Sequence, residues 1–267
     1  MKSFLEKYHT EIAEDLAKCF PYKESTKDII MIVHNELDYV RLAIDSVISN
    51  TSNFNLYVWD NGSDPSVAEY LFDKMYSLED NLDKNMIVVR SIKNLGFVIP
   101  NNNLVKLGSG QYVILLNSDT QVYAGWDRHL IGFLQNNPDY LEVGYQGGIL
   151  DETGLGIDAS LGNDIDYICG WCACFARNTY NAFGLFDDKF EFAYFEDADF
   201  SLRLKKDGHK IYALHLATAH HFGNKTIKTV QKSGNEFVCQ TFQKNHEYMK
   251  KKWSEYLEVN RVRAEES

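Results

Sequence analysis

The sequence of 267 residues contains only four prolines and no apolar run of the roughly 18–20 residues that a membrane-spanning helix needs. Its first 21 residues carry charges throughout and lack the apolar core of a secretory signal peptide. Basic residues are outnumbered, since 27 Lys and Arg face 38 Asp and Glu for a net charge of −11. Broad binding to nucleic acid needs the opposite balance, because it displaces counterions from phosphates. We therefore expect a cytoplasmic protein with no transmembrane segment.

Two kinds of cofactor motif are also missing. Three of the five cysteines cluster at Cys169, Cys172 and Cys174, but no second pair exists to complete a four-ligand zinc site. This cluster alternates like a strand, whereas a redox Cys-x-x-Cys motif opens a helix, so we expect buried, reduced thiols. The 17 glycines form neither the dinucleotide fingerprint nor a P-loop with its Lys-Ser/Thr.

The sequence does contain a regular alternation of short apolar runs and amphipathic segments. Runs typical of buried strands cover 28–33, 56–59, 86–90 and 112–116. Segments with helical spacing lie between them, at 38–49, 68–75 and 101–107. Strands that alternate with helices favour a parallel sheet with helices on both faces, and ligand sites in such α/β sheets lie beyond the carboxyl ends of the strands.

The second half of the chain is less regular. Residues 144–166 are glycine-rich without periodicity and are predicted to form a loop, whereas 167–176 and 211–216 read as strands and 198–206 as a helix. We expect three parts in the chain. They are a helical extension at 1–27, an α/β domain at 28–221 and a helical segment at 222–267.

The two flanking parts each allow more than one interpretation. The first, amphipathic over 3–20, is expected to dock on the domain, with a dimer contact or a membrane surface as alternatives. The last carries nine Lys and Arg against six Asp and Glu, including Lys250, Lys251 and Lys252. It predicts a helix that packs on the domain and faces an anionic partner or a second subunit of a homo-oligomer. The alternative is a solvated helix face.

Two polar groups indicate a metal site. Asn117, Ser118 and Asp119 follow the strand at 112–116, and a carboxylate there can hold Mg²⁺ or Mn²⁺, which prefer oxygen ligands and bridge to substrate phosphates. His220 and His221 end the last strand, and a neutral imidazole can complete such a metal shell. The ordinary alternatives are a polar turn and surface histidines.

Three carboxylates lie together at Glu196, Asp197 and Asp199. If a helix begins at residue 198, Glu196 and Asp197 lie at its N-terminus, where the helix dipole favours ionised carboxylates. Asp199 can then pair with Arg203 one turn further on. This leaves Asp197 as a candidate general base and Glu196 to orient a substrate hydroxyl. The alternative is an ordinary acidic start of a helix.

Seven segments, taken together and in order, resemble the family-2 glycosyltransferases of the GT-A fold, and among them the rhamnosyltransferase-like branch. They are IIMIVHNELDYVRLAIDSV, YVWDNGSDPS, NLGFVIPNNN, YVILLNSDT followed by GW, ICGWCACFARNTYNAFGLFDDKF, FAYFEDADFSLRLKKDGHKI and AHHFGN. The resemblance implies an α/β fold of the GT-A type, a Rossmann-like and mostly parallel sheet flanked by helices, here with helical N- and C-terminal extensions.

The resemblance also implies an activity and residue roles. A sugar would move from a nucleotide-diphosphate sugar to an acceptor hydroxyl, with inversion and with Mn²⁺ or Mg²⁺ as cofactor. Asp119, the last acid of the family's DXD motif, and His220 would be metal ligands, and Asp197 the general base, beside Glu196. The implied donor-binding residues are His34, Asn35, Asp60, Asn94, Asn102, Asn117 and Ser118.

Some positions depart from the family pattern. Asn117 stands where the first DXD acid is expected, which implies weaker metal affinity, and Leu104 replaces a glycine. A catalytically silent nucleotide-sugar-binding module is one rival interpretation. A nucleotidyltransferase on a similar fold is another, although the basic, glycine-rich loop of that class is missing after the first strand. The acceptor is expected to be a saccharide, a lipid-linked saccharide or another hydroxyl compound, selected by 144–166 and by residues after 222.

Overall fold

The structure, a computed structural model, describes residues 26–215, 218–223 and 236–265. The predicted helix at 3–20 lies outside these residues. The first half alternates as expected: β1 Lys27–Val33, α1 Leu37–Asn50, β2 Phe54–Asn61, α2 Pro65–Tyr76, β3 Lys84–Ser91, α3 Val98–Leu104, β4 Tyr112–Leu116, β5 Thr120–Val122 and α4 Trp126–Asn136. The second half contains β6 Tyr140–Gly144, β7 Gly147–Leu150, β8 Gly156–Ser160, β9 Tyr167–Ile168, β10 Cys172–Ala176, α5 Arg177–Phe183, α6 Glu196–Lys206, β11 Lys210–Ala213, β12 Ala219–His221 and α7 Glu236–Glu265.

Seven strands form the central sheet in the order β11-β6-β10-β4-β1-β2-β3. Neighbouring strands are parallel except at β10, which runs antiparallel to both β4 and β6. Two small antiparallel sheets lie outside it, β12 with β5 and β8-β7-β9. The predicted α/β class is confirmed, and the carboxyl ends of β1, β2 and β4 meet at one edge of the sheet.

Helices cover both faces of this sheet, which explains why its strands are apolar on both sides. On one face Ile29 and Met31 of β1 belong to a core shared with α1, α2 and α4. On the other, Ile30 belongs to a core shared with α3, α6 and α7. The alternation along β1 therefore distributes successive side chains between two cores rather than between core and solvent.

The C-terminal helix α7 is part of the second core. Its apolar stripe buries Met249, Trp253 and Leu257 against the domain, as the sequence predicts. Lys252 does not face a partner, because its Nζ lies 2.7 Å from Asp187 and 2.6 Å from Asp199. Only the neighbouring lysines of the basic run are exposed. The expected basic face is thus smaller than the sequence suggests.

The expectation for residues 144–166 is wrong, because β7 and β8 form a hairpin there. Its strands are short, and β8 is exposed, so neither shows the apolar alternation of a half-buried strand. One of its glycines has a packing role, since a Cβ on Gly147 would lie 2.5 Å from the Ile165 side chain. The predicted strand at 167–176 is likewise split by a turn at residues 169–171 into β9 and β10.

None of the helices in the described ranges combines the length and apolar character needed to cross a bilayer.

Candidate active site

A cleft of about 590 Å³ opens at the carboxyl ends of β1, β2 and β4. Its walls come from both halves of the chain, including the segments after those strands, the hairpin β7–β8, the turn at 169–171, the start of α6 and one residue of α7. The predicted site residues that line it are His34, Asn94, Asn117, Ser118, Asp119, Glu196 and Asp197. Most of the predicted site therefore converges on one cavity.

Asp119 is paired in this cleft with His221. The His221 Nε2 lies 3.0 Å from an Asp119 carboxylate oxygen, and both side chains are largely buried. The antiparallel pairing of β12 with β5 places His221 opposite Thr120, next to Asp119. The imidazole also stacks on the Trp171 indole, with 5.1 Å between ring centroids and 8° between planes.

The structure does not bring His220 to Asp119. Successive residues of a strand point to opposite sides, so His220 is exposed and its ring meets Phe222 edge-on. The structure therefore places the second histidine of the pair, and not the first as expected, beside Asp119. No signal in the sequence distinguishes the two, because the choice depends on how β12 pairs with β5.

The Asp119–His221 pair fits a site for a divalent cation that the substrate completes. Mg²⁺-type sites commonly use one or two protein carboxylates together with substrate phosphates, and imidazole is a common ligand for transition metals. Among the residues that the structure describes, no cluster of three or more His, Cys, Asp or Glu side chains could hold a metal by itself. Two candidate ligands beside the cleft could hold a cation whose remaining ligands come from a bound substrate.

Glu196 and Asp197 form the first turn of α6, which begins two residues earlier than predicted. Glu196 is buried, and its Oε2 has no hydrogen-bond partner among the residues that the structure describes. Asp197 is anchored instead, accepting hydrogen bonds from the Gly170 N–H at 2.9 Å and the Ala198 N–H at 2.8 Å. Asp199 pairs with Arg203 at 3.0 Å, as the sequence predicts.

Burial raises the pKa of both carboxyls of this pair. The pKa of Glu196 lies well above its usual range because of burial and the adjacent Asp197 charge. The pKa of Asp197 is raised less, because the backbone N–H groups of Gly170 and Ala198 oppose the effect of burial. Desolvation therefore acts against the helix dipole, which was expected to favour the ionised forms of both groups.

The turn at 169–171 contacts both polar pairs of the cleft, Glu196–Asp197 and Asp119–His221. Gly170 binds Asp197, and a Cβ at Gly170 would lie 3.3 Å from the Asp197 side chain. The next residue, Trp171, stacks on His221 and accepts a hydrogen bond from the Asn117 N–H at 2.9 Å. Adjacent residues of one turn thus touch both the Asp119–His221 pair and the Glu196–Asp197 pair.

At the other end of the cleft, Asn61 organises the loop after β3. Its amide donates to the Asn94 Oδ1 at 2.8 Å and the Gly96 carbonyl at 2.7 Å, and its Oδ1 accepts from the Leu95 N–H at 2.7 Å. The Asn61 carbonyl lies 3.0 Å from Nδ1 of His34. Asn61 thus connects the ends of β1, β2 and β3, through its side-chain amide on one side and its backbone carbonyl on the other.

Three predicted donor-binding residues do not line the cleft. Asp60 is fully buried, pairs with Arg90 and accepts from the Ser63 N–H at 2.9 Å. The Asn102 amide donates to the Phe186 carbonyl at 2.9 Å, fixing the loop after α5. Asn35 binds the turn after β2, accepting from the Asp64 N–H at 2.8 Å. These three residues therefore hold segments that form the walls of the cleft, and their own side chains do not line it.

Several lining residues are missed by sequence reasoning. Asn61 lies beside the predicted Asp60 and could have been found as the next polar residue of the same turn. Trp171, Phe195 and Phe242 also line the cleft. Aromatic residues are common in this sequence, and Phe242 lies on a helix distant in the chain, so no local pattern marks them.

The fold and the cleft together define a doubly wound α/β protein with its site at the carboxyl end of the sheet. The chain belongs to glycosyl transferase family 2, whose model matches residues 28–185. A comparison with curated proteins gives no match.

Two solved structures share the fold. One is GalNAc-T7 with UDP, GalNAc and Mn²⁺, at a TM-score of 0.62 and 16% identity over 74% of this chain and 43% of that one. The other is the mannosyltransferase PcManGT from Pyrobaculum calidifontis in complex with GDP-Man and Mn²⁺, at a TM-score of 0.56 and 14% identity over 79% of this chain and 62% of that one. The chain spans less than two thirds of either protein, and the likeness establishes the GT-A fold.

Proposed function

We propose that this protein transfers a sugar from a nucleoside diphosphate sugar to an acceptor hydroxyl, with inversion at the anomeric carbon. The observation that carries the proposal is the meeting, in one cleft, of the Asp119–His221 pair with the Glu196–Asp197 pair. The family supports the reaction class. The two similar structures, which hold UDP or GDP-Man together with Mn²⁺, support the donor class and the metal.

Asp119 and His221 would hold a divalent cation, Mn²⁺ or Mg²⁺. Such a cation, when bound, neutralises the charge that develops on the departing diphosphate. The donor's nucleotide end would lie along His34, Asn61 and Asn94, which are held at the ends of β1, β2 and β3. Asn117 in place of a second acid gives this site one negative charge fewer, which predicts weaker metal affinity in the absence of a donor.

Asp197 would take the proton from the acceptor hydroxyl as it attacks. Its two backbone hydrogen bonds fix the carboxylate, and the raised pKa makes it a stronger base than a solvated aspartate. Glu196, whose pKa is also raised, would hold its proton and donate a hydrogen bond to a substrate hydroxyl through Oε2. Attack from the side opposite the leaving diphosphate would give inversion.

The test of this mechanism is Asp197→Asn. Because the amide keeps the shape and removes the basicity, kcat should fall by roughly 10²–10⁴-fold with donor affinity nearly unchanged. UDP- and GDP-sugars are screened for stabilisation with Mn²⁺, release of nucleoside diphosphate gives the rate, and the anomeric configuration of the product gives the stereochemistry.

Asp207→Asn is the matched control, because Asp207 caps the other end of α6 and its carboxylate is exposed. It should leave kcat unchanged. A fully active Asp197→Asn protein would refute the base assignment. Binding of nucleotide sugars without turnover in the unsubstituted protein would instead favour a silent binding module.

The resemblance to the rhamnosyltransferase-like branch leads us to propose a deoxyhexose or hexose donor and a saccharide or lipid-linked saccharide acceptor. The hairpin β7–β8 and α7 would form the acceptor side, since Leu150, Leu155 and Phe242 line the cleft there. An apolar and aromatic wall of this kind suits the C–H face of a pyranose ring. The same screen, run with candidate acceptors, identifies the pair of substrates.

A further inference from the structure

The segment that leads into α6 has an unusual backbone. Phe192, Tyr194 and Phe195 have φ angles of 63°, 85° and 73°, in the left-handed region that large side chains rarely occupy. Such φ angles are unfavourable for residues with a Cβ, so the conformation persists only where its surroundings impose it. All three residues line the cleft, and Phe195 directly precedes the Glu196–Asp197 pair.

One side chain of α7 holds this segment in place. Asn245 is fully buried, and its amide donates to the carbonyls of Glu191 at 2.8 Å, Ala193 at 3.0 Å and Tyr194 at 3.4 Å. Its Oδ1 accepts from the Glu191 N–H at 3.0 Å. Both ends of the amide therefore bind the backbone of three residues within the span 191–194, which lies more than 50 positions earlier in the chain.

The opposite side of the segment rests on the loop after β3. The Phe97 N–H donates to the Phe192 carbonyl at 2.5 Å, and a Cβ on Gly96 would lie 2.5 Å from the Phe192 backbone. That loop is held separately by Asn61. The segment thus lies between a donor-side loop with its own anchor and a C-terminal helix whose anchor is Asn245.

We propose that Asn245 is a positioning residue for the reaction, which fixes residues 191–195 and thereby the orientation of Glu196 and Asp197 in the cleft. This inference rests on the proposed function. Asn245 does not line the cleft, so it acts through the backbone that it binds. Without the amide donors of Asn245, the backbone of 191–195 can leave its unfavourable φ angles. The first turn of α6, which follows this segment directly, is then no longer held in one position.

The test compares Asn245→Asp, which keeps the shape but loses the donors, with Asn245→Ala. Asn260→Ala is the matched control, because the Asn260 amide on the same helix is exposed and, in the described part of the chain, its hydrogen bonds are to Tyr256 one turn earlier. Hydrogen–deuterium exchange, which needs no substrate, should show faster exchange by about ten-fold or more across 191–198 in both Asn245 variants. The control should leave exchange there unchanged.

The concentration of binding-competent protein is first measured by titration with nucleoside diphosphate in the presence of Mn²⁺. Turnover is then expressed per competent molecule, which gives kcat. Because misplacement of about 1 Å can cost on the order of 100-fold, kcat should fall by roughly 10- to 100-fold, while the Kd for the nucleotide changes by less than about two-fold. A residue needed only for stability would lower the competent fraction and leave kcat unchanged.

Two results overturn the inference. Unchanged exchange across 191–198 in both Asn245 variants removes its structural basis, and faster exchange with unchanged kcat removes the positioning role. A parent protein that neither binds nor turns over any nucleotide sugar overturns the proposed function itself, and the inference with it. The parent's own activity therefore separates the two failures.

Discussion

Glu142 is a buried acid beneath the cleft whose protonation should control part of the protein's stability. It lies on β6, is 2% exposed and accepts a hydrogen bond from the Ser201 hydroxyl at 2.6 Å. Ser201 in turn accepts from the Ile168 N–H, at the end of β9. Burial raises the pKa of Glu142 from its ordinary 4.5 to about 8, and the Asp197 charge adds to the effect. The folded protein therefore keeps this acid neutral at pH 7.

The sign and size of the effect follow from this shift. Because the folded pKa lies above the unfolded one, the stability linked to the neutral acid is complete below pH 4.5 and is lost as the pH rises towards 8. One pKa unit corresponds to about 1.4 kcal/mol, so the loss due to Glu142 between pH 4 and pH 7 is about 3 kcal/mol. Glu142→Gln has nearly the same shape and cannot ionise, so it should not suffer this loss.

The measurement is the free energy of unfolding in urea, followed by tryptophan fluorescence at several pH values between 4 and 7. From pH 4 to pH 7 the free energy of unfolding of Glu142→Gln should rise by about 3 kcal/mol relative to that of the parent. Any constant cost of the amide shifts the variant equally at every pH and does not change this result. Glu196 and Asp197 titrate in both proteins and largely cancel in the difference. Glu79→Gln, at an exposed glutamate, is the control and should give a flat difference. A flat difference for Glu142→Gln would refute the reasoning.

Two further predictions concern the metal pair and the donor loop. His221→Ala should weaken Mn²⁺-dependent binding of nucleoside diphosphate by roughly ten-fold or more, and His220→Ala should not, as calorimetry with and without Mn²⁺ will show; equal losses would contradict the assignment. Gly96→Ala should destabilise the protein by about 1–3 kcal/mol more than Gly184→Ala, because both have positive φ but only Gly96 abuts the Phe192 backbone. Equal losses in urea unfolding would contradict that.

The first half of the fold could be predicted because its strands and helices carry strong, distinct periodicities. Strands buried on both faces appear as continuous apolar runs, and the helices between them show one apolar stripe. The hairpin β7–β8 could not be predicted, since β8 is exposed and the role of Gly147 depends on contact with Ile165. Short exposed strands leave too little pattern in a sequence.

The candidate site could be predicted in its residue types but not in its protonation or its supports. Asp119, Glu196 and Asp197 converge as expected, yet the burial that raises the pKa of Glu196 is a property of the folded chain that no local pattern of residues shows. Lys252 appeared to be an exposed charge, but Asp187 and Asp199 neutralise it within the fold. Charges and histidines acquire their roles from tertiary contacts, which local spacing does not encode.

The return of α7 to the cleft has a consequence for how this chain can be divided. The family match ends at residue 185, so a fragment cut to that boundary would keep Asp119 but lose Glu196, Asp197 and His221. It would also uncover the core side chains that α6 and α7 now bury. If Asp197 is the base that we propose, a related chain could match the family over the same span and still lack that base.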